Sequence, residues 1–405
     1  MIGSVYRFTI FILLCWGAHA WFTWQWDLGY STLLAEALAS LIAFVYGRSY
    51  HVKLISNNTI MLAGVLLFAA SFWQAPGIRT IFHFAFRYYP IWVFISDNKN
   101  FSQTINYICK CLAVVLFAGL VLHIIMLATS TFPSFVVTYP NDNESYIFFC
   151  YLFLIRKVFE GSDFGVRFMS IFLEPGYLGT LMAFMLYALK FDFKNKAVPI
   201  MIVALAFSLS LAGYITAFVG YLFHLASERK SITKYVVYAV LVLVSLNVAQ
   251  TYNNGHNPVN ELILDRLQTD EEKYISGNNR FGLGTDYYFD SYLNSGQILT
   301  GIGLNEVQRI NLAGKDSRDF EIYGAGYKVF LIRDGIIGAL LYLFFYLVLG
   351  LWGNRGNRRY MGGFVTLIAM TFIQAGYPSS YSWIIPFAIG YTQSLIEQKN
   401  NHQRR

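Results

Sequence analysis

The chain has 405 residues, of which 56% are hydrophobic, 18% aromatic and 13% charged, with a formal net charge of +7. Soluble domains carry roughly 25% charged residues, so this composition excludes a chain wholly surrounded by water and requires lipid to cover much of its surface. The positive balance does not point to a nucleic-acid partner, because Lys and Arg punctuate apolar runs instead of gathering on one segment.

A membrane-spanning helix needs about 20 mainly apolar residues. In chain order, such runs fall at 6–24, 31–46, 59–72, 80–96 and 111–130. Ala18-His19-Ala20 in the first run resembles a signal-peptidase site, but Trp16, Trp21, Trp24 and Trp26 suit the aromatic belt of a retained helix. The stretch 147–159 is apolar but short and carries Arg156 and Lys157, which reads as an interfacial or re-entrant segment that does not cross. Further runs follow at 171–189, 197–211, 212–227 and 235–249, then a long polar loop at 250–326, and finally runs at 327–351, 360–377 and 381–396.

Excess Lys and Arg marks the cytoplasmic side. Arg48 and Lys53, Lys99 and Lys110, and Lys190, Lys194 and Lys196 form the first basic joints. Arg229, Lys230 and Lys234, then Arg355, Arg358 and Arg359, then Lys399, Arg404 and Arg405 form the rest. Keeping all of them on one side requires even numbers of spans between joints. The expectation is an all-α polytopic protein with about 12 transmembrane helices, one transmembrane domain over 1–405, both termini cytoplasmic, and the 250–326 loop outside.

Cys15, Cys109, Cys111 and Cys150 imply neither a disulfide nor a metal site, since Cys109-x-Cys111 has no second ligand pair. No dinucleotide or phosphate-loop fingerprint is present; Gly301-x-Gly303 is too short for one. Ionisable residues at membrane depth are functional candidates, and Glu174 is the leading one. It follows Phe172-Leu173 and precedes Pro175-Gly176, and the residue before proline avoids helix whereas proline suits a first helical turn. Glu174 is therefore expected where an extended stretch enters a helix, with Arg167 able to share its cavity. Two readings of Glu174 stand side by side: a reactive carboxylate, or an acid favoured by the helix dipole at its N-terminus. In the loop, Tyr287, Tyr288, Phe289 and Tyr292 either stack on sugars or pack the loop against the membrane. The loop sets six basic residues, Arg280 among them, against eleven acidic ones, so it is not a polyanion patch. Arg333-Asp334-Gly335 lies in the first two turns of the following helix, as an interfacial anchor or as part of a site.

Together, Arg167…Phe172-Leu173-Glu174-Pro175…Gly179, the stretch Ser208, Ser210 and Gly213, Asn279-Arg280, Gly301-x-Gly303 and Asp334-Gly335-Ile336-Ile337-Gly338 resemble the motifs of the Wzy-type polysaccharide polymerases of bacterial inner membranes. The topology resemblance covers nearly the whole chain, and the motifs about a tenth of it. The resemblance implies a GT-C-like membrane glycosyltransferase that joins oligosaccharide repeat units carried on undecaprenyl pyrophosphate into O-antigen, capsule or exopolysaccharide. It implies Glu174 as base or orienting carboxylate, Arg167 and Arg280 as pyrophosphate ligands, and Arg333, Asp334 and Tyr323 as substrate-binding residues. It calls for no cofactor or metal. Its partners would be the lipid-linked oligosaccharide, membrane lipid, a flippase and a chain-length regulator. Two alternatives remain: an O-antigen ligase, which resembles the chain less because 322–328 lacks a histidine, and a transporter or flippase, which would show matched broken helices in two halves.

Overall fold

The computed structural model describes residues 1–27, 30–54, 58–129, 133–139, 146–157, 167–228, 244, 248, 283–313, 322, 326–353, 357–374 and 378–403. They are mostly helical. Helix α1 (Ile2–Gly17) is followed by a 3-10 turn, Trp21–Asp27, and by α2 (Tyr30–Ser49), α3 (Asn58–Gln74), α4 (Ile78–Ser96) and α5 (Phe101–Thr129). Three strands follow, β1 (Phe135–Tyr139), β2 (Tyr146–Cys150) and β3 (Ile155–Lys157). Then come α6 (Pro175–Ala188), α7 (Ala197–Ser208) and α8 (Leu211–Ser227). After these lie α9 (Leu283–Ser295), α10 (Leu304–Ala313), α11 (Tyr327–Leu347), α12 (Arg358–Gln374) and α13 (Tyr381–Gln403).

Among the described residues, three helices are long and apolar enough to cross a bilayer: α2, α5, and α11 with its π-helical extension to Trp352. Helices α1, α3, α7 and α8 are apolar but shorter. Outward-facing Leu34, Leu38, Leu41, Phe44, Val65 and Phe117 are exposed, which suits a lipid-facing surface better than a watery one. Helix α6 is buried around nearly its whole circumference, the mark of a core helix, and it packs on α7, α8 and α13. Helix α2 packs on α4, and α3 on α11.

The first expected run ends early. Helix α1 stops at Gly17, and the chain turns at His19, which takes a left-handed φ of 53°. Gly17 is required there, since a Cβ would sit 2.3 Å from the Ser382 nitrogen. Its carbonyl, left without a partner by the helix end, accepts hydrogen bonds from Ser380 and Ser382 at 2.7 and 2.8 Å. Trp21, Trp24 and Trp26 thus lie on the turn and not on the helix.

The described part of the stretch expected as an interfacial or re-entrant, non-crossing segment holds two strands of an antiparallel sheet of order β1-β2-β3, with Phe149 opposite Val136 and Arg156. β-Branched and aromatic residues favour this geometry, and a five-residue strand falls short of the 9–11 residues or so that a membrane strand needs. Trp24, Phe148, Ile155, Met169 and Leu173 pack beneath it as a small separate core. The sheet is a departure from the all-α expectation. The second half of the long loop is also structured, as α9 and α10, and Val307, Ile322 and Ile332 tie it to α11. Apart from 244 and 248, the expected span 235–249 lies outside the described residues, as does the first part of the loop.

Candidate functional site

The segment from Arg167 to Glu174 has no regular structure, and its backbone groups are satisfied by neighbours on both sides. The Phe168 N–H donates to the Phe207 carbonyl at 2.9 Å, and Ser170 O accepts from Ile155 N–H at 2.8 Å. Ile171 O accepts from Trp21 N–H at 2.9 Å, and Leu173 N–H donates to His19 O at 3.0 Å. Non-helical backbone at membrane depth requires such protein partners or a water-lined cavity. Ser170 holds a left-handed φ of 50° with its hydroxyl on the Phe153 carbonyl.

Glu174 ends this segment in extended geometry (φ −145°, ψ 153°), and Pro175 opens α6. This is the helix entrance expected from the Glu-Pro sequence. The carboxylate is exposed and makes no capping hydrogen bond to its own helix. Lys157 on β3 lies within its electrostatic reach. Burial pushes the Lys157 pKa below its ordinary value, and the Glu174 carboxylate opposes that shift in part.

Arg167 is buried and has a defined task. Its Nε donates to Ser208 O at 3.2 Å and its Nη2 to Leu209 O at 3.1 Å. These are the last carbonyls of α7, where a cation is favoured. Leu209 turns left-handed there (φ 46°), and Ser210 starts α8 by accepting from Gly213 N–H at 3.3 Å. Gly179 of α6 presses on the same break: a Cβ added to it would lie 2.7 Å from the Ser210 Cβ. Arg167, Gly179, Ser208, Ser210 and Gly213, spread over 47 positions of sequence, therefore meet at one point next to the α6 entrance.

Arg333 and Asp334 form a second point. Arg333 grips the neighbouring carboxylate through Nε at 3.0 Å and Nη2 at 2.7 Å. Asp334 is buried and also accepts from Gln74 Nε2 at 3.1 Å. Trp73 Nε1 donates to the Asp334 and Thr300 carbonyls. The pair is thus tied to α3 and is more than a surface anchor. At Gly335 the helix is kinked, with φ 69° and ψ −179°, a region open essentially only to glycine. Gly303 N–H donates to Arg333 O at 2.9 Å, and a Cβ on Gly335 would meet the Thr300 carbonyl carbon at 2.4 Å. Gly301-x-Gly303 and Asp334-Gly335 are two sides of one close backbone contact. Gly335→Ala is expected to cost at least about 1–3 kcal/mol from backbone strain alone, read as lower membrane abundance and an earlier melt of the purified protein. Melting unchanged from the wild type would contradict the kink. Arg280 and Tyr323 lie outside the described residues.

Sequence reasoning missed a third cluster. Glu36 of α2, 1% exposed, accepts at 2.8 Å from His83 Nδ1 of α4 and lies 4.0 Å from Arg87 Nε. Arg87 Nη2 donates to Ser379 O at 3.2 Å, and its guanidinium lies 5.3 Å from the Tyr381 ring centre. The signals were a lone acid inside the apolar α2 run and Arg79, His83 and Arg87 at four-residue spacing on α4. Among the described residues, no group of three His, Cys, Asp or Glu side chains is placed to hold a metal ion.

Comparison with protein-family models, with curated proteins and with solved structures finds no match to this chain.

Proposed function

We propose that the chain is a bacterial inner-membrane polysaccharide polymerase of the Wzy type, with about 12 spans, both termini in the cytoplasm, and its site at the outer face. The observation that carries this reading is the convergence of its scattered motif positions. Arg167 meets Ser208, Ser210, Gly213 and Gly179 at one helix break, and Gly179 belongs to the helix that the Glu174-Pro175 entrance opens. Asp334-Gly335 meets Gly301-x-Gly303 at another.

The reaction joins an acceptor sugar hydroxyl, on an incoming lipid-linked unit, to the anomeric carbon of a glycan held on undecaprenyl pyrophosphate. The new carbon–oxygen bond forms as the bond to the pyrophosphate oxygen breaks, and undecaprenyl pyrophosphate leaves. Glu174, exposed at the helix entrance, orients the acceptor hydroxyl and takes its proton. Guanidinium groups suit the leaving pyrophosphate because their planar fork matches its oxygens; Arg280, Arg167 and Arg333 are assigned to it, with Asp334 and Tyr323 on the sugar. Arg167 binds pyrophosphate only while also holding the α7 carbonyls. The partners are the lipid-linked oligosaccharide, membrane lipid, a flippase and a chain-length regulator, and no nucleic acid, metal or cofactor takes part.

Purified protein given lipid-linked repeat units should release products longer than one unit, and release of none would refute the reading. The topology has its own test. A reporter active only outside the cytoplasm should be active when fused after Asn279 and silent after Lys196 or Asn357; reversed activity would place the site in the wrong compartment.

A further inference from the structure

Lys110, Lys194 and Lys196 belong to two of the basic joints, and a topology signal needs no more than charge on one side of the membrane. The fold does more with these three, because it gathers them around one cavity. The cavity, about 560 Å³ in volume, lies between α5, the turn joining α6 to α7, the first turn of α7 and Gln393 of α13. All three lysines are exposed. Among the described residues, none of their ammonium groups has an ion-pair or hydrogen-bond partner, whereas neighbouring Lys190 pairs with Glu397.

The turn that carries Lys194 and Lys196 is held in shape by its own side chains. Asp192 Oδ1 accepts from the Lys194 backbone N–H at 3.0 Å, and Asn195 Oδ1 from the Ala197 N–H at 3.0 Å. Asp192 is the one acid among the described lining residues, so three ammonium groups face one carboxylate. Lys196 is also the N-cap of α7, whose first turn holds no acidic residue. The helix dipole disfavours a cation at that end and favours an anion, so an anion seated among the lysines relieves both strains.

The remaining wall bears on what carries the anion. Ile105, Ala113, Leu189 and Ile200 make part of the lining apolar. Helices α5 and α7 pack together and leave the cavity in the same direction, since His123 and Phe207 meet further along, their ring centres 6.2 Å apart. In line with Lys110, at helical spacing, α5 carries exposed Val114, Phe117 and Val121. In line with Lys196, α7 carries Ile200 and then exposed Val203 and Phe207 at the same spacing. Each stripe extends over about 16 Å of helix rise. A free phosphate would engage only the lysines, whereas a lipid engages the lysines with its head and the stripes with its chains.

We propose that the Lys110–Lys194–Lys196 cavity binds the phosphate headgroup of an anionic membrane lipid, with the lipid chains lying along α5 and α7. Basic pockets between membrane helices are suited to such headgroups. The cavity is at the Leu189 end of α6, about 20 Å of helix rise from Glu174 at the other end. Its occupancy therefore does not depend on the transfer reaction.

The test uses the full-length protein purified in a neutral detergent and titrated with phosphatidylglycerol, phosphatidylcholine and glycerol phosphate. Phosphatidylglycerol should bind saturably and more tightly than either of the others. The double variant Lys110→Gln/Lys196→Gln changes exposed positions, where substitution seldom disturbs the fold. It should weaken phosphatidylglycerol binding by about tenfold or more, as expected when two lysines are lost beside an anionic lipid. Lys99→Gln, an exposed member of the same basic joint as Lys110 but outside the cavity lining, should bind as the wild type does. Wild-type affinity in the double variant would overturn the site, and an equal loss in Lys99→Gln would replace it by diffuse surface charge. Phosphatidylcholine binding as tightly would overturn the need for an anion, and glycerol phosphate binding as tightly would overturn the lipid as its source. Because binding is read without turnover, a protein that fails to polymerise glycan yet shows these affinities refutes the transferase reading and leaves this site standing.

Discussion

Glu174→Gln is expected to cut polymer formation by about 10²–10⁴-fold, the usual contribution of a positioned general base, while membrane abundance stays at the wild-type level. The amide keeps the shape of the side chain but cannot take the proton of the acceptor hydroxyl. Glu174→Asp should fall between, because it keeps the charge and shortens the reach. The competing view of this residue as a helix cap gives a different forecast. A cap is worth about 0.5–2 kcal/mol, so its loss would lower protein level and leave activity per molecule intact. The carboxylate makes no capping hydrogen bond to α6 and is exposed, so little stability rests on it. Polymer per molecule equal to the wild type in the Gln variant would remove Glu174 from the chemistry.

The largest stability effect is expected at Glu36. Glu36→Leu removes the carboxylate between His83 and Arg87 and leaves the Arg87 guanidinium with the Ser379 carbonyl and the Tyr381 ring in place of this counter-ion. Breaking a buried ion pair from one side costs about 3–5 kcal/mol, and the lower end applies because His83 and Arg87 retain 24% and 32% of their side-chain surface. Unfolding of the detergent-solubilised protein should show that loss. The double variant Glu36→Leu/Arg87→Leu should recover much of it, since replacing both charges by apolar groups is often neutral. Additive losses in the double variant would show that the two side chains do not act as a pair.

The helices were legible because their signal is a count of apolar residues. Runs at 31–46, 59–72, 80–96, 197–211 and 212–227 sit within a few residues of α2, α3, α4, α7 and α8. The paired short helices α7 and α8 were visible as a polar Ser208–Ser210 interruption in an apolar stretch. The Glu174-Pro175 entrance was legible because the steric rule before proline is local. Errors came where tertiary contacts overrode hydropathy. Helix α1 stops at Gly17 because the N-terminus of α13 packs against it, and α5 starts at Phe101, ten residues before the expected 111. The strands at 147–150 and 155 could not be read from their apolar residues alone, because the pairing depends on the partner strand Phe135–Tyr139.

The site was legible in part for the same reason. Arg167 and Glu174 stood out as charges beside apolar residues, but the α7 carbonyls that Arg167 holds could not be read from a position 41 residues away. Gly301-x-Gly303 is too short for a nucleotide fingerprint; Gly301 instead lets two backbones touch, and Gly303 donates its N–H across the same contact to the Arg333 carbonyl. Glu36, His83 and Arg87 were overlooked because each is a single charge in its own helix, and their meaning depends on α2 and α4 lying side by side.

The most direct test of the central claim is the size distribution of surface glycan from a strain lacking this gene. A polymerase predicts lipid capped with single repeat units, and restoration of long chains by the wild-type gene but not by Glu174→Gln. Glycan absent from its lipid acceptor would instead indicate a ligase, repeat units trapped in the cytoplasm a flippase, and an unchanged ladder of long chains would contradict the account altogether.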